Sequence, residues 1–399
     1  MQTEDLYTPS SKMLIYSLIA EAGSITKAEL QHKTLIKSST LTRLLDEMLE
    51  QHLIEAADLG PSRGGRRPIL YRITPDYGYI FGLEVSRIHS SLGLFDMQLN
   101  PKSLIHWHMD EGMTPERFKE YVLRHMRMFL RDHQIAPERI QGLGIGAVGP
   151  LNRSTGTILN PQYFPARGWS DVPICQWFQE ETGFRTILEN GVNSALIGEQ
   201  WSLRHENIQH VLYVHAGVSL RSAMMSHGRI VHGAMDMEDA IGQMIVQAGG
   251  LRLNNTGNYG ALEAYASIEA MEQKAQSDAK MGRALFRQQK ELPPEQINFD
   301  VLIQALKASE PYAVELFSQS ASYFGIGLSN LIHIFQPEKV ILGGALIHSN
   351  TMYYNTAIQI AAANTGYNAQ YKPQFTKGQL MEAASVTGAA LHLRNSIEL

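Results

Sequence analysis

The sequence predicts an α/β protein: an N-terminal winged helix-turn-helix followed by two mixed lobes with a cleft between them. Three observations point there. Residues 10–73 run helix, capped helix, helix, strand, basic glycine-rich loop and strand, within the length of one small module. From residue 79 onward apolar strands are followed by helical periodicity, and the same order starts again near residue 211. The chain of 399 residues is 44% apolar and 18% charged, enough for two or three domains with sizeable cores.

The first helix is expected over residues 10–22, where Met13, Leu14, Tyr16, Leu18 and Ile19 recur at helical spacing. Thr26-Lys27-Ala28-Glu29 is a capping box, its hydroxyl and carboxylate satisfying the orphan N–H groups that open a second helix. A turn at residues 34–37 leads into a third helix over 38–51, with Leu41, Leu44, Leu45, Met48 and Leu49 on its apolar face. That spacing leaves Ser38, Ser39, Thr40, Thr42 and Arg43 free near its N-terminal end, hydrogen-bonding side chains placed where a recognition helix meets base edges. Residues 53–57 and 69–73 read as short strands flanking Gly60-Pro61-Ser62-Arg63-Gly64-Gly65-Arg66-Arg67-Pro68. Glycines let such a hairpin tip approach a phosphate, and Arg63, Arg66 and Arg67 supply charge for a minor groove or backbone contact. Residues 1–75 hold as many acidic as basic side chains, so any positive potential there is local.

The net charge of −5 argues against a general nucleic-acid coat and leaves binding to a defined patch. The single cysteine, Cys175, excludes disulfides within the chain and any multi-cysteine metal site. No apolar run reaches the length of a membrane span, and a cytosolic protein is expected.

After the first module, residues 79–84 and 91–96 read as an apolar hairpin joined by 85–90. Residues 115–132 have helical spacing, with Phe118, Tyr121, Val122, Met126 and Phe129 on one face, and 140–148 form a buried strand. A second hairpin is expected at 211–216 and 222–225, a long buried helix at 314–335, and a strand at 339–342 ending in Gly343-Gly344. Gly144-x-Gly146-x-x-Gly149 matches a dinucleotide fingerprint. That motif needs a helix directly after its strand, whereas Pro150-Leu151-Asn152-Arg153-Ser154-Thr155-Gly156 reads as a turn, which disfavours a nicotinamide enzyme.

Several segments, in order, resemble the ROK family of repressors, open reading frames and kinases. They are the wing Gly64-Gly65-Arg66-Arg67-Pro68, Gly144-Ile145-Gly146-Ala147-Val148-Gly149-Pro150, Trp169-Ser170-Asp171-Val172-Pro173, Val340-Ile341-Leu342-Gly343-Gly344 and Thr387-Gly388-Ala389-Ala390. The wing is similar to that of the family's sugar-responsive repressors. The resemblance implies the duplicated actin-like ATPase fold of sugar kinases for the two lobes. The expected division is 1–75 for the winged module, 76–190 for the first lobe with 385–399 packing back on it, and 191–384 for the second.

Departures from the family pattern carry the functional reading. Family kinases have an aspartate as general base where this chain reads Glu189-Asn190-Gly191-Val192-Asn193, and glycine accepts no proton. The two phosphate hairpins, glycine-rich in the family, are here Glu84-Val85-Ser86-Arg87-Ile88 and Gly217-Val218-Ser219-Leu220-Arg221-Ser222-Ala223. The family's histidine and three cysteines for zinc correspond to Gly242-Gln243 and the stretch Asn254-Asn255-Thr256-Gly257-Asn258-Tyr259-Gly260-Ala261, so no metal is expected. His205, His210, His215, His227 and His232 fit no tetrahedral spacing. The resemblance implies sugar contacts at Gly149, Asn190 and Glu263, while Ala240 and Gln243 replace a glutamate and a histidine that hold the sugar elsewhere.

The expectation is a regulator without enzymatic activity or cofactor, at least dimeric, bound to double-stranded operator DNA and responsive to a sugar or sugar derivative. An active kinase with a DNA-binding extension, or a ligand-independent regulator using its lobes for dimerisation or docking, are the alternatives.

Overall fold

The computed structural model describes residues 10–59, 67–233, 239–283, 292–366 and 370–397, with backbone only for Asp58 and Leu59. Helix α1 (Ser11–Ala22) is started by Ser10, whose hydroxyl accepts from the Met13 N–H at 3.1 Å. A two-residue strand β1 (Ile25–Thr26) runs straight into α2 (Lys27–Lys33), and the capping box is complete: Thr26 Oγ1 accepts from the Glu29 N–H, and Glu29 Oε2 accepts from the Thr26 N–H at 2.8 Å. Helix α3 (Ser38–Glu50) buries Leu41, Leu44, Leu45 and Met48, as its spacing predicts. The apolar face of α1 differs from the expectation: Ile15 is buried and Leu14 is exposed, because one residue along a helix turns a side chain by about 100° and Ile15 shares a face with Ile19. Strands β2 (Ile54–Leu59) and β3 (Ile69–Ile73) pair antiparallel, and β1 adds on the other side in the order β1-β3-β2. Most of the basic loop, including Arg63 and Arg66, lies outside the described residues.

The first lobe is built on a mixed sheet of order β10-β7-β4-β5-β6. Strands β4 (Tyr79–Val85) and β5 (His89–Asp96) form the expected hairpin. Strand β6 (Pro101–His108) was not legible; it is a half-exposed edge strand, so its side chains show no clean alternation of apolar and polar. Helix α4 (Pro115–Asp132) begins at Thr114, which caps it, with Pro115 in the first turn. Strand β7 (Ile140–Ala147) is followed by a small hairpin, β8 (Leu151–Asn152) and β9 (Thr157–Ile158), so no helix opens after the Gly144/Gly146/Gly149 repeat. Helix α5 (Ile174–Thr182), strand β10 (Thr186–Asn190) and helix α6 (Gly191–Ser202) follow.

The second lobe repeats the plan with the order β13-β12-β11-β14-β15. Its strands are β11 (Val211–Ala216), β12 (Leu220–Ser226), β13 (Arg229–Ile230), β14 (Lys339–Gly343) and β15 (Gln374–Thr376). Helices α7 (Glu263–Ala266), α8 (Ile268–Lys280), α9 (Phe299–Lys307), α10 (Pro311–Phe335), α11 (Ala345–Ser349) and α12 (Thr351–Thr365) complete it. Phe317 and Phe324 of α10 and Tyr353 of α12 are fully buried in its core.

Helix α13 (Ala384–Asn395) returns the chain to the first lobe and lies against β4, β7 and α6. Its approach is backbone on backbone. A methyl group on Gly144 of β7 would stand 1.9 Å from the Ala389 carbonyl oxygen, and one on Gly388 would stand 1.7 Å from the Ser194 carbonyl oxygen of α6. Gly82 and Gly198 leave room in the same way for the carbonyls of Val386 and Ala384. At these four points the nearest obstacle is backbone, with no flexible side chain to absorb a change. Gly388→Ala is therefore expected to destabilise the protein by about 3 kcal/mol or more, read as a lower midpoint in denaturant unfolding. Gly366→Ala, whose added methyl meets only ordinary contacts at 3.4 Å, is the control and should shift stability by less than about 1 kcal/mol.

Candidate functional site

Because α3 turns its leucines inward, its opposite face is open. Ser38, Ser39, Thr42 and Arg43 are exposed and Thr40 is half-buried. Thr42 Oγ1 donates to the Ser38 carbonyl at 2.9 Å and accepts from Lys27 Nζ, which ties the start of α2 to the first turns of α3. Arg43 pairs with Glu47 one turn on, both at the surface. Such a pair contributes only a few tenths of a kcal/mol, so the arginine is readily given up to a stronger acceptor. Lys37 stands at the N-cap of α3 and no side chain caps the helix, so its first N–H groups face outward. Arg67 and Pro68, the described end of the basic loop, are exposed.

Between the two lobes lies a cavity of about 380 Å³, whose walls include Glu84, Arg87, Gly191, His215, Arg221 and His348. The turn after β4 and the turn after β11 meet across it. Arg87 is buried, donates to Ser219 Oγ of the opposite turn, and donates through Nε to the Gln162 carbonyl at 2.7 Å. An arginine side chain thus crosses the gap that two bare glycine hairpins would leave open. Arg221, also buried, places Nη1 3.7 Å from where a Cβ on residue 191 would be. His215 is held well below the ordinary imidazole range by burial and by the charges of Arg221 and Arg87, and is neutral. Burial pushes the Glu84 carboxyl up to about 7, against a hydrogen bond from Ser91 Oγ at 3.2 Å.

Asn190 is the N-cap of α6: its Oδ1 accepts from the Val192 N–H at 2.9 Å, and its Nδ2 is buried without a partner. It pairs in register with Ala147, which places it beside the end of β7 and the Gly149–Pro150 segment, a cis peptide. Glu263 sits at the start of α7 in the second lobe, 7% exposed, 3.4 Å from Gln243 Nε2. Burial pushes its carboxyl up to about 7, with Arg87 acting in the opposite direction. None of the three lines the cavity; its wall reaches their neighbours Gly191 and Val192. Glu189, not singled out from sequence, is buried beneath them. It accepts from the Asn190 N–H at 2.7 Å and from Asn193 Nδ2 at 3.0 Å, and it pairs with Arg153 at 3.2 Å. Its signal was its place beside Asn190, a carboxylate adjoining an amide cap.

The stretch that the resemblance equates with a zinc loop does not fit the metal. Gln243 Oε1 accepts from the Asn258 N–H at 2.9 Å, and Asn254 Oδ1 accepts from Gly257 and Thr256. These amide oxygens are engaged and lack the softness structural zinc requires. The histidines do not converge on one point: His210 packs edge-on to His227, His232 lies by Arg153, and His215 faces the cleft.

The profile of the ROK family matches residues 83–395. A putative xylose repressor of Caldicellulosiruptor sp. (strain Rt8B.4) is 24% identical over 391 residues, spanning 95% of this chain and 94% of that protein. A glucokinase of Thermotoga maritima is 24% identical over 285 residues, 71% of this chain and 88% of that one. Among solved structures, a ROK family transcriptional regulator described as a homolog of the E. coli MLC protein superposes with a TM-score of 0.76 at 18% identity, covering 96% of this chain and 95% of its own. The α/β lobes, their order along the chain and the matched length agree: the chain belongs to the ROK family.

Proposed function

We propose that the protein is a DNA-binding transcriptional repressor whose lobes bind a sugar or sugar derivative without phosphorylating it. The observation that carries this is the cleft. Phosphoryl transfer depends on positioning a polyphosphate and on a base for the acceptor hydroxyl. Here Arg87 joins the two hairpins that would hold the phosphates, and Arg221 faces a glycine where the base belongs. The N-terminal module supports the other half. Residues 1–82 lie outside the family profile, yet the alignment with the putative xylose repressor extends over 95% of the chain, so that relative shares most of the module.

In this reading residues 1–75 form a winged helix-turn-helix, 76–190 with 385–399 form one actin-like lobe, and 191–384 form the other. The open face of α3, Ser38, Ser39, Thr40, Thr42 and Arg43, enters the major groove, and Arg63, Arg66 and Arg67 reach the backbone or minor groove. Gly149, Asn190 and Glu263 contact ligand hydroxyls, the unpartnered Asn190 amide being the donor still to be used. Glu263, part-protonated near neutral pH, both donates and accepts. Two half-sites require two recognition helices, so the working unit is at least a dimer.

On a double-stranded site selected from a random library, Arg67→Ala should weaken binding on all sequences and lower the salt slope by about one. Thr42→Ala or Arg43→Ala should instead change sequence preference, and equal loss on every sequence would assign them to backbone contact. With ATP and D-glucose, D-xylose or N-acetylglucosamine, an ADP-release assay should stay at background. Gly191→Asp should not rescue it, because the new carboxylate meets Arg221 and the hairpins remain joined. Rapid turnover in either would overturn the reading.

The Glu263 carboxyl also sets a pH dependence. Its pKa is higher folded than unfolded, so the folded state binds more protons between about pH 4.5 and 7 and stability falls as pH rises through that window. Glu263→Gln removes this loss and should raise stability at pH 8 relative to pH 5, on the order of 1–3 kcal/mol against wild type. Parallel pH curves for the two proteins would show that the carboxyl is ionised throughout. A thermal shift with the same sugars, present in wild type and absent in Asn190→Ala, would locate the ligand; no shift with any sugar favours lobes that serve docking alone.

A further inference from the structure

The N-terminal module does not hang from a linker. Its Ile15, Tyr16 and Ile19 belong to one apolar cluster with Trp201 of α6 and Val386, Ala390, Leu391 and Leu393 of α13. Within that cluster lies a charge. Arg394, in the last turn of α13, is 2% exposed, and its guanidinium carbon stands 4.4 Å from the ring centre of Trp201, over which Arg204 also lies at 4.3 Å. It donates to the Met97 carbonyl at 3.2 Å and to Asn395 Oδ1 at 3.4 Å. Among the described residues no carboxylate comes within ion-pair distance of it, and its Nε has no partner. The titratable groups around it are Tyr16 and Glu21 of α1, Arg204 at the end of α6, and Asp96 of β5. The hydroxyl of Tyr16 is likewise buried and unpartnered.

Each unpaired buried donor or acceptor is costly, so the fit of α1 on α13 at this point is sensitive to small changes in how the two helices meet. Tyr16 and Glu21 of α1 are the groups of the module whose charge acts on the guanidinium across this seam. The other end of the assembly is the cleft. Helix α6 starts there at Gly191, and the ten steps from it to Trp201 span roughly 15 Å. It lies directly on α13, where Gly198 and Gly388 bring the two backbones into contact.

We propose that Arg394 is a positioning residue that sets the seat of the N-terminal module on the lobes, and that α6 carries the state of the cleft to it through Trp201. The coupling needs no DNA; only its consequence for operator affinity rests on the function proposed above.

Amide hydrogen exchange on the full chain tests it without a ligand. Asn190→Ala removes the cap at the cleft end of α6, and should speed exchange at least threefold in peptides covering α1 as well as in α6. In the Arg394→Met background, which keeps the side-chain volume, Asn190→Ala should still speed α6 but leave α1 unchanged. If Arg394→Met gives no cooperative thermal transition, Arg394→Lys and Tyr16→Phe replace it: the lysine keeps the charge without the flat stack on Trp201, and the phenylalanine removes the hydroxyl, so both should cut the α1 response by at least half. On DNA selected from a random library by the wild type, the Arg394 variant should bind about tenfold more weakly with an unchanged salt slope, since it touches no phosphate. An α1 segment that ignores Asn190→Ala in the wild type, or that responds fully in the Arg394 variants, overturns the proposal. A wild-type protein that selects no DNA overturns the repressor reading, while the exchange arms still decide the coupling.

Discussion

The structure depends on how closely helix α13 can lie on the first lobe. At four glycines, Gly82, Gly144, Gly198 and Gly388, it meets its neighbours backbone to backbone, and carbonyl oxygens occupy the space that methyl groups would need. Close packing of this kind has little give, since any added volume must move backbone. The constraint has a topological side. The chain leaves the first lobe through α6, builds the whole second lobe, and returns as α13 to pack on α6, so the two crossings between lobes are the two helices locked together.

That lock also explains how a small N-terminal module comes to rest on a large body. Its own core, centred on Leu30, Leu41, Leu45 and Met48, continues without interruption into Phe95, Met97 and α13. A module sharing a hydrophobic cluster with its carrier keeps a defined orientation, whereas one on a polar linker would not. Glu199 reinforces the same joint: its buried carboxylate accepts N–H groups from Gln379, Leu380 and Met381, the residues that lead into α13.

In the function proposed above, the cleft is a phosphate-binding frame in which arginines stand where glycines would. Bare backbone hairpins attract anions with N–H groups. Once arginines replace them, positive charge remains but is carried by side chains that bridge the lobes, as Arg87 does between Gln162 and Ser219. Burial then shapes the surrounding titratable groups, leaving His215 neutral and Glu84 and Glu263 with carboxyls near neutrality. Under the function proposed above, such a site exchanges hydrogen bonds with its ligand.

Much of this was legible in the residues. The capping box at Thr26 and Glu29, the Thr114-Pro115 start of α4 and the leucine spacing of α3 are local signals, each acting within about one helical turn, and the elements formed where they indicated. The glycine at position 191 and the arginines in the two turns were equally visible, because residue type needs no coordinates. Other features were not. The choice of Ile15 over Leu14, the edge strand β6, the Arg87–Ser219 bridge, the facing of Arg221 and Gly191, and the burial of Arg394 were all decided by packing. The bridge joins residues 132 apart in sequence, and the bond from Arg394 to Met97 joins residues 297 apart. By itself the sequence determined most of the elements and which residue types stand at the cleft, since both depend on near neighbours and residue type. Only the tertiary structure decided what bridges the cleft and what seats the module on the lobes, because those contacts exist only once distant segments are brought together.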